Sequence, residues 1–79
     1  MATHAELLQV AGAVLRKLRQ DADLSQEELA ARAELSRSTI DKCERRERLP
    51  SLEILIKLAN GLNTKASEIV LIIEEELKK

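Results

Sequence analysis

Leu7, Leu8, Ala11, Val14, Leu15 and Leu18 recur at steps of one, three and four. That period predicts a helix over about residues 4–20, with Thr3 as its N-cap and Glu6 closing a capping box. A second apolar phase begins at Leu24 and runs through Leu29, Ala30 and Ala33. Ser25 followed by Glu28 is another capping box, and Leu24 and Leu29 are spaced as a hydrophobic staple. The two alanines leave a narrow face that a neighbouring helix can approach closely. A third phase opens at Ser36, with Leu35 and Ile40 as its staple and Ile40 and Cys43 turned inward. Arg37, Ser38, Asp41, Lys42 and Arg45 share the opposite face. Pro50 cannot continue a helix, and Ser51 caps the next one. That fourth helix is expected over 52–61, with Leu52, Leu55, Ile56, Ala59 and Leu62 on one side. Gly61-Leu62-Asn63 should end it, since asparagine tolerates the left-handed conformation used there. Thr64 is expected to cap a last helix over about 65–78. The pattern is therefore all-α: five helices forming one domain over 1–79, with no repeats, linkers or low-complexity tracts.

The last helix departs from a one-sided stripe. Ile69, Val70, Leu71, Ile72 and Ile73 are consecutive, so they point all round the helix. One reading is a C-terminal helix buried more deeply than usual. The sharper expectation is a dimerisation element in which Leu71 or Ile72, with Leu77 nearby, meets the same helix of a second subunit.

Residues 25–53 carry the chemistry. Two short helices joined by a tight turn, the second with a charged outward face, make a helix-turn-helix, an arrangement that places one helix in the DNA major groove. The chain resembles the Xre-type helix-turn-helix family of phage repressors, Cro proteins and small bacterial regulators. The matching residues are Leu15-Arg16-Lys17-Leu18-Arg19, Leu24-Ser25-Gln26-Glu27-Glu28-Leu29-Ala30, Leu35-Ser36-Arg37-Ser38-Thr39-Ile40, Glu44-Arg45, and Pro50-Ser51-Leu52-Glu53 with Leu58-Ala59. They span roughly residues 12–70. The resemblance implies a five-helix phage-repressor-like domain that binds operator DNA as a dimer. It also implies that Gln26 bonds a phosphate at the start of helix 2, and that Arg19 pairs with Glu44 to orient the recognition helix. The family often has glycine where this chain has Glu34, Arg46 and Asn63; those positions follow helices and call for positive φ.

The remaining DNA-contact candidates follow from side-chain chemistry. Arg37 and Lys42 are suited to guanine edges or phosphates, although Arg37 could instead pair with Asp41 one turn on. Ser36 and Ser38 offer adaptable hydroxyls. Thr39 could present its methyl group to DNA or be half-buried. Asp41 could accept from cytosine or repel phosphate. Arg45, Arg46 and Arg48 leave the recognition helix as a charge run suited to phosphates. Cys43 reads as a small buried hydrophobe, and His4 has no Cys or His at ligand spacing.

Net charge sharpens this picture. The chain carries −1 overall, unusual for a DNA-binding domain. The charge is polarised, however. Residues 36–49 hold five basic side chains against three acidic, while residues 66–79 hold four acidic against two basic. Aromatic residues are absent, which argues against single-stranded nucleic acid read by base stacking. A single cysteine makes no intramolecular disulfide, and neither a membrane span nor a secretory signal is evident, so a cytoplasmic location is expected. No nucleophile–base pair, phosphate loop or metal cluster suggests an enzyme or a cofactor. The expectation is a sequence-specific regulator that binds double-stranded DNA as a homodimer on a near-palindromic operator. Three alternatives stay open: an antitoxin that neutralises a toxin, a domain used only for assembly, and the controller protein of a restriction–modification system. RNA polymerase or a toxin are the further partners these readings would bring.

Overall fold

A computed structural model describes residues 1–79 as five helices: α1 (His4–Asp21), α2 (Gln26–Ala33), α3 (Arg37–Glu44), α4 (Leu52–Gly61) and α5 (Ala66–Leu77). Four begin where the sequence supplies an oxygen for orphan amides. Thr3, Ser25, Ser36 and Ser51 accept from the N–H of Glu6, Glu28, Thr39 and Ile54. Thr3–Glu6 and Ser25–Glu28 are reciprocal capping boxes. The bond from the Ser25 N–H, reinforced by its hydroxyl, holds the Glu28 carboxyl below its ordinary pKa.

The fifth start differs from expectation. Lys65, not Thr64, occupies the N-cap of α5, and no side chain caps it. Thr64 is committed elsewhere: its N–H reaches back to the Ala59 carbonyl at 2.9 Å and closes the end of α4.

That closure recurs. Leu24 bonds Arg19, Leu35 bonds Ala30, and Glu47 bonds Lys42, each N–H reaching the carbonyl five residues back. The residue before each donor is left-handed: Asp23 (φ 63°), Glu34 (56°), Arg46 (66°) and Asn63 (57°). These are Schellman-type ends built without glycine. The first two feed directly into the next N-cap, so Asp23-Leu24-Ser25 and Glu34-Leu35-Ser36 are the same three-residue junction used twice.

The core joins all five helices. Leu29, Cys43, Ile40, Leu58 and Ile69 are fully enclosed, and Ala11, Val14 and Leu15 complete the wall from α1. α1 packs on α3 and α5, α2 on α3 and α4, and α4 on α5. Two glycines set the separations. A Cβ on Gly12 would fall 2.8 Å from the Cys43 carbonyl oxygen, and one on Gly61 would fall 2.8 Å from Leu29 Cδ1 and 3.1 Å from Ala33 Cβ. Gly61 is the last residue of α4, ending it with Leu62 and the left-handed Asn63 as expected, and it is also a contact point on the small face of α2.

On α4 the expected stripe is rotated. Leu55 and Leu62 are half-buried and Ala59 is buried, but Leu52 is 73% exposed and Ile56 46% exposed. Leu58 and Gly61 take the inner positions instead. The reason is the close approach at Gly61, which centres the contact one step round the helix from where the largest side chains would put it.

Left-handed strain at a residue with a Cβ costs on the order of 1 kcal/mol. Glu34 is exposed and makes no side-chain bond, so Glu34→Gly should stabilise the fold by about 1 kcal/mol in urea unfolding. Gly12→Ala should destabilise it by about 1–3 kcal/mol through overpacking. Opposite signs for these two glycine exchanges check both readings at once.

Candidate nucleic-acid interface

α3 is anchored from its C-terminal end by a buried carboxylate. Glu44 accepts from Arg19 Nε at 2.7 Å and from Arg19 Nη2 at 3.0 Å, a bidentate pair. The side chains are 12% and 4% exposed. Arg19 also donates through Nη1 to the Leu24 carbonyl at 2.8 Å, tying the pair to the α1–α2 junction. The bond to Glu44, against the cost of burial, raises the Arg19 pKa above its ordinary value, so the guanidinium stays charged.

Gln26 extends this network. Its Nε2 donates to Glu44 Oε1 at 3.2 Å and to Asp41 Oδ1 at 3.3 Å. Asp41 also faces Arg45 Nη1 at 3.5 Å, and Arg45 Nε lies 3.2 Å from Glu47. The network therefore joins α1, α2 and α3 through Arg19, Gln26, Asp41 and Glu44. With both amide hydrogens engaged internally, Gln26 offers outward only its carbonyl oxygen and its backbone N–H.

The outward face of α3 holds Arg37, Ser38 and Lys42, all exposed, with Arg45 following it. Arg37 does not pair with Asp41; its Nε lies 3.7 Å from Glu27 Oε1 on α2, an exposed and weak contact. Lys42, Arg46 and Arg48 are exposed and form no ion pair. Ser36 spends its hydroxyl on the cap and on a 2.8 Å bond with Thr39 Oγ1, and Thr39 is half-buried. Ile40 and Cys43 form the inward face, both buried, and burial pushes the Cys43 thiol above its ordinary pKa.

A cleft of about 460 Å³ opens beside this face, between α1 and the C-terminal half of α3. Arg16, Arg19, Arg45 and Arg46 line it together with Gln26, Asp41 and Glu44, and Ala13 is its only apolar wall.

The sequence model of the helix-turn-helix family matches residues 15–69. A relative in Archaeoglobus fulgidus, an uncharacterized HTH-type transcriptional regulator, is 36% identical over 63 residues, covering 80% of this chain and 89% of that one. The chain belongs to the Xre-type helix-turn-helix family. Among solved structures, the wild-type restriction–modification controller protein C.Esp1396I superposes with a TM-score of 0.83 at 27% identity, covering 92% of this chain and 96% of that one. The controller protein C.AhdI from Aeromonas hydrophila gives 0.74 at 40% identity, over 78% and 94%.

In this helix-turn-helix protein the matched stretch runs from the inner wall of α1 to the buried Ile69 of α5. Arg19 and Glu44 come together as the resemblance implied. The internal bonds of Gln26 and Asp41 were not foreseen, because they join residues fifteen apart across a turn. Arg16, which lines the cleft, was not among the candidates, although its i, i+3 spacing to Arg19 places both on one face of α1.

Removing one partner of a desolvated pair strands the other charge. Glu44→Ala should therefore cost roughly 3 kcal/mol of stability. In a double-mutant cycle with Arg19→Ala, the paired change should cost less than the two single changes together. Strict additivity in urea unfolding would mean the two side chains do not interact.

Proposed function

We propose that this helix-turn-helix transcriptional regulator acts as a homodimer on a near-palindromic duplex operator, with α3 as the recognition helix. The observation that carries this reading is the division of labour on α3. Its inner carboxylate is locked to α1 and α2, while Arg37, Ser38 and Lys42 are exposed on the outer side, Arg37 held only by its weak contact with Glu27. A helix held rigidly with donors facing out can enter a major groove and read base edges. Arg37 is at the N-terminal end of α3, where side chains reach bases first. Ser36 and Thr39 flank it, and Lys42, Arg45, Arg46 and Arg48 supply phosphate contacts along the exit. Gln26 contributes through its backbone N–H at the start of α2, where the helix end favours an anion. The net charge of −1 is compatible with this, because Glu44 is buried against Arg19 and Asp41 is held by Gln26.

Dimerisation rests on apolar surface left uncovered on α4 and α5. Leu71 is 48% exposed, joined by Val70, Leu52 and Ile56 on two helices that pack together. Ile72 and Leu77 are half-buried against the core, which favours Leu71 over Ile72 as the centre of contact. A two-fold pairing would set two α3 helices about 34 Å apart, one turn of duplex. Likeness to two restriction–modification controller proteins favours a controller role over an antitoxin.

Selection of bound sites from random duplex DNA tests the function: an enriched palindrome supports it, and no enrichment contradicts it. On the selected duplex, Arg37→Ala should cost about 1–3 kcal/mol and relax preference at one base position. Equal loss at every position would make Arg37 a backbone contact.

Leu71→Lys should give a helical monomer with collapsed operator affinity, read by analytical ultracentrifugation and duplex titration. A variant that remains dimeric and binds normally would move the interface elsewhere.

A further inference from the structure

We infer that Arg16 of α1, together with Arg46, forms a phosphate-binding cleft that extends the DNA contact beyond the helix-turn-helix onto α1. The inference rests on the duplex-binding reading and adds to it a contact outside α2 and α3.

Four arginines converge on the cleft, but they are not equivalent. Arg19 is spent on Glu44 and the Leu24 carbonyl, and Arg45 faces Asp41 and Glu47. Both cleft acids are thus already engaged by protein donors. Arg16 and Arg46 form no ion pair and no side-chain hydrogen bond, so two arginines without a bonded counterion line one cleft, and Arg46 also borders a neighbouring cleft that holds Glu76. Like charges gathered this way favour an anion, and guanidinium geometry suits the paired oxygens of a phosphate.

The backbone explains why they meet. Arg46 is left-handed at φ 66°, closing the end of α3 and turning its side chain toward α1. Gly12 accepts the stem: a Cβ there would lie 2.9 Å from Arg46 Cγ. Ala13 keeps the next position low. A helix surface with no side chain at 12 and only a methyl at 13 lets Arg46 lie across α1, on the cleft that Arg16 also lines.

The cleft is also on the appropriate side. Asp41 of α3 and the exposed Arg45 that follows it line the cleft as well, and Gln26 lines it from the start of α2. A duplex with α3 in its major groove has its sugar–phosphate backbone along the groove edge. That strand would pass the mouth of the cleft, so the ligand is a backbone phosphodiester of the bound duplex.

The test is a salt series of fluorescence-anisotropy titrations with the selected duplex and an unrelated duplex, using the full chain. Loss of one phosphate contact lowers the salt slope by about 0.9, which at 0.1 M salt is roughly an eightfold loss of affinity. Arg16→Ala should give that loss on both duplexes, with its helical circular-dichroism spectrum and unfolding midpoint retained because Arg16 is exposed. Arg16→Lys should recover most of the affinity, since the charge remains. Phosphate ethylation should identify one phosphate whose modification weakens the wild type but not Arg16→Ala, which a purely structural role would not produce. Unchanged affinity and slope for Arg16→Ala, alongside weakened binding by Arg45→Ala, would overturn the cleft while leaving the duplex reading standing. A wild type that binds neither duplex would overturn both.

Discussion

A buried carboxylate is the constraint on which the recognition surface depends. Glu44 lies at the C-terminal end of α3, and an unpaired charge there would be costly to bury. It is met by two nitrogens of Arg19 and one of Gln26. Because Arg19 also holds the Leu24 carbonyl, α3 is fixed relative to both α1 and the junction leading to α2. Such an arrangement need not add net stability over an apolar substitute. Its value is orientational, since a bidentate pair defines an angle that hydrophobic contact alone leaves loose.

The remaining architecture serves close approach. With no aromatic side chains, the core is built from aliphatic and small residues. Gly12 lets α3 settle on α1, and Gly61 lets α4 settle on Leu29 and Ala33 of α2. Short junctions make this possible: left-handed residues at 23, 34, 46 and 63 reverse the chain within a few positions. Three of them carry charged side chains, so strain is accepted in exchange for polar surface at the turns. The same geometry at Arg46 carries a cationic side chain from the end of α3 back across α1.

How much of this was legible in the sequence follows the range of each interaction. Caps are local, so Thr3, Ser25, Ser36 and Ser51 could be read directly, and with them four helix starts. Positive φ at Glu34 and Arg46 followed from family comparison, and at Asn63 from the asparagine itself as well, whereas Asp23 escaped notice despite preceding the same Leu-Ser step as Glu34. Helical period placed Ile40 and Cys43 inward correctly. It misplaced Leu52 and Ile56, because the contact face of α4 is set by the partner helix at Gly61 rather than by where the larger side chains cluster. Thr64 looked like a cap but its backbone belongs to the end of α4. The Arg19–Glu44 pair was available only through resemblance, since nothing local links residues twenty-five apart. Partners chosen across a turn, such as Gln26 with Asp41 and Arg37 with Glu27, needed the packed helices to be seen.

The central claim is that α3, held by Glu44, meets duplex DNA with its free face while its inner network stays intact. Nitrogen-15 chemical-shift mapping on adding a selected duplex tests this residue by residue. The account predicts the largest changes from Ser36 to Arg48 and at the Gln26 backbone amide, with the Arg19 side-chain Nε resonance held in place. Changes centred away from α3, or release of the Arg19 resonance to a solvent-exposed position, would contradict it.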